Sequence, residues 1–167
     1  MKVVFITPAA DIRRNFVYRL GASFYGQSNS ITGPLILGRI LKEEGHDVEV
    51  YEELYKNLEL KNIVDADVIC IYTMTSNATR AYELADTLKE EYKKRVIIGG
   101  IHASGVPNEA IKHADQVIVG EAENIIVDVI DGNIAEKIVY APPVEDLDSI
   151  PFPDYSILKT PCSAANV

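Results

Sequence analysis

Tryptophan is absent from these 167 residues, and cysteine and methionine occur only twice each. Neither Cys70 nor Cys162 belongs to a CxxC pair or a His-rich cluster, which excludes a disulfide-dense scaffold and a zinc site of ordinary spacing. Cys70 reads as a small buried hydrophobe, and so sparse a thiol content suits a reduced, cytoplasmic protein. Basic residues are in deficit. Sixteen Lys and Arg against 25 Asp and Glu give a formal charge of −9 and a pI near 4.8. Phosphate backbones need the opposite field, so no nucleic-acid partner is expected. No apolar run approaches the roughly 20 residues that span a bilayer, so no membrane partner is expected either. Met1 to Thr7 reads as a first strand, because it lacks the longer apolar segment and the small-residue cleavage site of a signal peptide. GxSxG, Walker and post-strand GxGxxG motifs are also missing, so no familiar catalytic constellation is written here.

What is present is a globular balance, 47% hydrophobic and 25% charged, in a chain the size of one domain. Apolar periodicity switches repeatedly between two and 3.6 residues. Strands are expected at Val3–Ile6, Val48–Tyr51, Asp67–Tyr72, Arg95–Ile98 and Gln116–Val119. Helices are expected over Gly33–Gly45, Asn77–Tyr92, around Asn108–His113, and from about Ala122 to Ile130, with a weak one within Asn57–Val64. Pro34 suits the first turn of the first helix and Gly45 its exit. The alternation predicts an α/β fold, a Rossmann-like or flavodoxin-like doubly wound parallel sheet of about five strands. The expected order is 2-1-3-4-5, with helices on both faces and a ligand crevice above strands 1 and 3.

Two β-branched runs, Val96-Ile-Ile-Gly-Gly-Ile-His-Ala103 and Asp115-Gln-Val-Ile-Val-Gly-Glu-Ala-Glu123, each end abruptly in glycine and polar residues. A parallel strand reads this way when its carboxyl end opens into a ligand crevice. Gly99 and Gly100 remove side chains where the backbone must turn or approach a ligand closely. Thr73-Met-Thr-Ser-Asn77 follows the third strand, and either Ser76 or Asn77 is expected to cap the next helix while Thr73 and Thr75 face a ligand. His102 is open to a base, ligand or hydrogen-bonding role. His46 is expected on the surface, and His113 to be structural near a helix C-terminus. Glu121 and Glu123 suit a negatively charged first helical turn, with Glu121 open to ligand contact.

Two segments break the compact pattern. Pro8 to Thr32 is a connection of about 25 residues, long for its kind. It carries Arg13, Arg14, Tyr18, Arg19, Phe24, Tyr25, Asn29 and Ser30, and its position suits covering a ligand. Ala141 to Tyr155 is proline-rich and acidic and reads as an extended arm. The expected division is a domain over 1–140 and a linker or arm over 141–167.

Taken together, these motifs resemble the N-terminal cobalamin-binding domain of cobalamin-dependent radical S-adenosylmethionine enzymes. The resemblance runs through Gly33-Pro34-Leu35, Glu44-Gly45-His46, Asp67-Val68, Thr73-Met74-Thr75, Gly99-Gly100-Ile101-His102, Gly120-Glu121-Ala122-Glu123 and the Leu147–Tyr155 arm. It implies cobalamin as cofactor, held by Thr7, Pro8, Thr73, Met74, Thr75, Ser76, Asn77, Gly99, Gly100, Ile101, His102, Gly120 and Glu121. It also implies a radical barrel, in cis or in trans, carrying a [4Fe-4S] cluster and S-adenosylmethionine, with methyl transfer or related radical chemistry in the whole protein. The CxxxCxxC cluster motif is missing, and the chain stops where that barrel is expected to begin. The DxHxxG signature that places a histidine on cobalt is also missing, replaced by Ala10-Asp11-Ile12-Arg13-Arg14-Asn15. Two other readings stand beside it. One is a flavodoxin-like small-molecule or nucleotide-binding enzyme using His102 and Glu121 as acid and base. The other is an interaction domain that has lost its ligand.

Overall fold

The computed structural model describes residues 1–10, 31–53 and 57–160. The aromatic, basic and polar residues singled out between 13 and 30, and Cys162, lie outside them. Six strands, β1 (Lys2–Thr7), β2 (Asp47–Glu52), β3 (Val68–Tyr72), β4 (Arg95–Gly99), β5 (Gln116–Val119) and β6 (Ile138–Tyr140), form one sheet in the order β2-β1-β3-β4-β5-β6. Every pairing is parallel. This is the expected order with one further edge strand, whose three residues are too few to show periodicity.

The pleat sorts each strand between two cores. Val96 and Ile98 join Val4, Ile6, Ile69 and Ile71 beneath α2 (Ala78–Glu90), α3 (Ile101–Gly105) and α4 (Pro107–Ala110). Ile97 points the other way, with Phe5, Val50, Cys70 and Ile118, beneath α1 (Thr32–Glu43) and α5 (Ile126–Asp131). Pro34 is buried in the first turn of α1, and Gly45 beyond its end has φ +86°, a value side chains rarely adopt.

Helix boundaries depart from expectation mainly near the strand tips. Thr75–Asn77 forms a 3-10 turn, so α2 starts at Ala78, and α5 starts at Ile126 rather than near Ala122. Helix α3 was not expected, because its five residues are bracketed by glycines and carry too little pattern. The helix expected near Asn108 is the single turn α4, and the weak one within 57–64 shrinks to a 3-10 turn at Leu60–Asn62.

The acidic arm lies along the domain. Asp154 pairs with Lys42 on α1 at 2.8 Å, and Ile157 is buried against the α1/β2 core. Leu158 forms a parallel bridge to Val50, and the Lys159 N–H donates to the Val50 carbonyl at 2.9 Å. At the end of β2, the Glu52 N–H donates to the Thr160 hydroxyl at 3.0 Å. Glu52 and Glu53 also hold both stems of the long connection. Their carboxylates accept from the Ile31 N–H at 3.2 Å and the Ala9 N–H at 3.3 Å, while Arg80 neutralises Glu53 at 2.8 Å.

Candidate functional site

Where α1 and α5 meet the C-terminal ends of the strands, a cavity of about 180 Å³ opens. Phe5, Cys70, Ile97 and Ile118 form its floor, one residue from each of four adjacent strands. Gly33, Pro34 and Leu37 of α1 make one wall, and Ala122, Glu123 and Ile126 the opposite one. Tyr72, Gly99, Gly100, Gly120 and Glu121 form the rim. Cys70 is buried, and that burial pushes its thiol up to about 12, so it presents a neutral S–H to the cavity.

The rim glycines serve two different ends. Gly100 has φ +102°, and a Cβ there would stand 2.5 Å from the Thr73 carbonyl oxygen. Gly120 has φ +93°, and a Cβ would meet the Ala141 carbonyl at 2.9 Å. Both positions require glycine to make the turn. Gly99 and Gly33 are different, since a Cβ would meet only a carbonyl at 3.9 Å in the first case and nothing within 4 Å in the second. Their missing side chains leave the cavity open.

Of the residues expected to bind cofactor, Gly99, Gly100, Gly120 and Glu121 line this cavity. The Thr73 side chain is buried beneath the rim. Its hydroxyl donates to the Gly99 carbonyl at 2.8 Å and accepts from the Ala103 N–H at 3.2 Å, so it joins β3 to β4 and α3. The Asn77 side chain donates to the Pro8 carbonyl and accepts from the Met74 N–H, each at 2.8 Å. It therefore links the β1 and β3 tips and does not cap α2, contrary to expectation; no side-chain cap bond is made there. Met74, Thr75 and Ser76 lie in and before the 3-10 turn, with Thr75 and Ser76 exposed, and Ile101 projects into solvent. Thr7 is buried at the end of β1, beside the buried Pro8.

His102 does not line the cavity. Its Nδ1 lies 3.3 Å from the Thr75 hydroxyl, its ring tilts against Tyr82, and Glu109 stands 3.7 Å from Nε2. Tyr82 and Glu109 belong to α2 and α4, which cover the opposite face of the sheet. His102 and Glu121 are thus not assembled as an acid–base pair. His113 has the structural place expected for it, stacked on Tyr82 with centroids 4.3 Å apart and bonded to Asp86 at 2.9 Å. His46 is a correction: its side chain is 8% exposed, with Asp131 at 3.4 Å. Among the described residues, no group of three or more His, Cys, Asp and Glu could hold a metal ion, and no helix is long and apolar enough to cross a membrane.

The B12 binding domain family profile matches residues 30–130, the span that includes α1, β2 to β5 and both cavity walls. The chain belongs to the B12 binding domain family. It is 38% identical over 86 residues to the bacteriochlorophyllide d C-8(2)-methyltransferase of Chlorobaculum tepidum, covering 52% of this chain and 19% of that enzyme. It is 30% identical over 136 residues to the C-12(1)-methyltransferase of the same organism, covering 77% of this chain and 29% of that enzyme. The chain therefore spans less than a third of the length of either relative. Among solved structures, the cobalamin-dependent S-adenosylmethionine radical enzyme OxsB with aqua-cobalamin bound shares the fold, with a TM-score of 0.57 at 14% identity. That match covers 93% of this chain and 21% of OxsB. The N-terminal domain of a hypothetical protein of Thermotoga maritima aligns with a TM-score of 0.51 at 21% identity, covering 69% of this chain and 94% of that one.

The family match bears out the fold read from the alternating strands and helices and the cobalamin cofactor that the resemblance implies. Sequence reasoning missed the cavity floor and Glu123 as a lining residue. Period-two alternation puts Ile97 on one face and Val96 and Ile98 on the other, but which face carries the open slot depends on where α1 and α5 pack.

Proposed function

We propose that the cavity holds the nucleotide tail of cobalamin, with the corrin ring lying across the glycine-rich rim at Gly99, Gly100, Ile101 and Gly120. The observation that carries this reading is a slot floored by Phe5, Cys70, Ile97 and Ile118 and kept open by Gly33 and Gly99. Its apolar floor between two close walls suits a flat aromatic base. Thr73 and Asn77 support the rim from beneath. The exposed Thr75 and Ser76 are placed for the corrin amides, and Thr7 and Pro8 stand at the neighbouring strand end. None of the described histidines lines the cavity, and the 10–15 segment contains none, so that loop would supply no histidine to a bound corrinoid.

Cobalamin supplies a cobalt centre able to carry a methyl group. The role proposed for the whole protein is methyl transfer or related radical chemistry in the cytoplasm. In it this domain presents the corrinoid to a barrel, in cis or in trans, that carries a [4Fe-4S] cluster and S-adenosylmethionine. The names of the Chlorobaculum tepidum relatives and of OxsB support that assignment. An acid–base enzyme built on His102 and Glu121 has no support in the geometry.

The test is an ultraviolet–visible titration of the purified chain with hydroxocobalamin, followed by gel filtration. Co-elution of cobalamin with a base-off spectrum is expected. Free cobalamin separating cleanly from folded protein would overturn the proposal.

A further inference from the structure

Glu123 lines the cavity, and its Oε2 is buried without a hydrogen-bond partner. Leaving a carboxylate oxygen dry and unbonded is costly, and a fold retains such a group where a ligand completes it. Its neighbour Glu121 differs, because it already accepts from the Val144 N–H. Among the described residues, no lysine, arginine or histidine lines the cavity, so the missing donor is not supplied by the wall. With Glu121 on the adjoining rim, a phosphate set against Glu123 would meet two carboxylates and no cation of the described lining, so it is disfavoured there. The group that fits is a neutral donor, a hydroxyl or an amide N–H.

Resting on the cobalamin reading, we propose that Glu123 is the specificity-determining acceptor for a ribose hydroxyl of the nucleotide tail. The dimethylbenzimidazole ring carries no N–H once attached to the sugar, so it belongs over the apolar floor. The corrin amides belong outside the slot with the macrocycle. The ribose lies between them, at the level of the wall where Glu123 stands. The phosphate then leaves on the Gly99 and Gly100 side of the rim, away from both Glu121 and Glu123.

The experiment measures affinities of wild type, Glu123→Ala and Glu123→Gln for hydroxocobalamin and for cobinamide, which keeps the corrin and its amides but lacks the ribose and base. Thermal melting of the ligand-free proteins is recorded alongside. Glu123→Ala is expected to weaken hydroxocobalamin about tenfold or more, the scale of a hydrogen bond to a charged group. Cobinamide affinity is expected to stay within twofold, and Glu123→Gln, which keeps a carbonyl acceptor, to lose less. The ligand-free variants are expected to melt no lower than wild type, because the orphan oxygen is a burden on the empty fold. Equal losses for both corrinoids, an unchanged hydroxocobalamin affinity, or a lower melting temperature would overturn the inference. Wild type binding both corrinoids equally would remove the tail from the slot and overturn it while keeping the corrinoid reading. Wild type binding neither would overturn both.

Discussion

The Cδ1 of Ile157 lies 2.5 Å from where a Cβ on Gly38 would stand, so the arm fills a notch in α1 that only glycine leaves. Val48 and Val50 of β2 complete that notch, at 3.2 and 3.8 Å from the same point. Ile157 is 3% exposed, and its truncation would leave a cavity in the core between α1 and β2. Ile157→Ala is expected to cost about 2–5 kcal/mol in urea denaturation, the range for large-to-small changes in a well-packed core. Gly38→Val is expected to eject the arm and make residues near 157 protease-sensitive. Stability unchanged within error for Ile157→Ala would mean that the arm does not pack there in solution.

Asp154 anchors the same arm. Its carboxyl is held at about 2, below the ordinary 3.8, first by the hydrogen bond from Lys42 and then by that from Ser156. A depressed folded value means that the folded state binds fewer protons than the unfolded chain between those two pH values. The stabilisation is therefore complete above about pH 4 and lost as pH falls toward 2. Asp154→Asn is expected to lower stability at pH 7 and to converge with wild type near pH 2. Parallel stability curves across that window would show that the Lys42 pair contributes nothing.

Much of this arrangement was legible in the sequence, and the reasons for the rest are specific. Strand order followed from alternating periods, and Gly100 and Gly120 announced the turns because the chain there adopts φ values that exclude side chains. The tips of the strands were legible as a site, but side-chain direction beyond them was not. Thr73 turns under the rim to bond Gly99, and His102 turns toward Tyr82, because the short helix α3 begins immediately at Ile101. A helix that short leaves no periodicity to read. The arm was read as a linker from its prolines and acids, yet Ile157 finds Gly38 through a contact distant in sequence.

The two adjacent rim glycines separate folding from binding. Gly100→Ala places a Cβ 2.5 Å from the Thr73 carbonyl oxygen and 2.8 Å from its nitrogen, at φ +102°. Backbone cannot yield as a flexible side chain can, so a loss of at least about 1–3 kcal/mol is expected. Gly99→Ala meets only the Ile118 carbonyl, at 3.9 Å, and the fold is expected to accept it with little change. Its methyl group would narrow the cavity mouth and weaken cobalamin retention on gel filtration. Wild-type retention by a folded Gly99→Ala protein would mean that the ligand does not pass Gly99.

Cys70 reports occupancy of the floor directly. Its thiol is pushed up to about 12 by burial, so at pH 8 almost none is thiolate, and alkylation is expected to be far slower than for a free cysteine. The folded state keeps the proton longer than the unfolded chain, so stability falls as pH rises from the ordinary value of 9.0 toward 12. In a Cys162→Ser background, which leaves one thiol, the maleimide labelling rate measured by mass spectrometry reads the cavity alone. If the nucleotide tail covers the floor, bound cobalamin should slow labelling in proportion to the occupied fraction. Cobinamide should bind over the rim and leave the rate nearly unchanged. Equal protection by both corrinoids would show that the ring, and not the tail, shields Cys70.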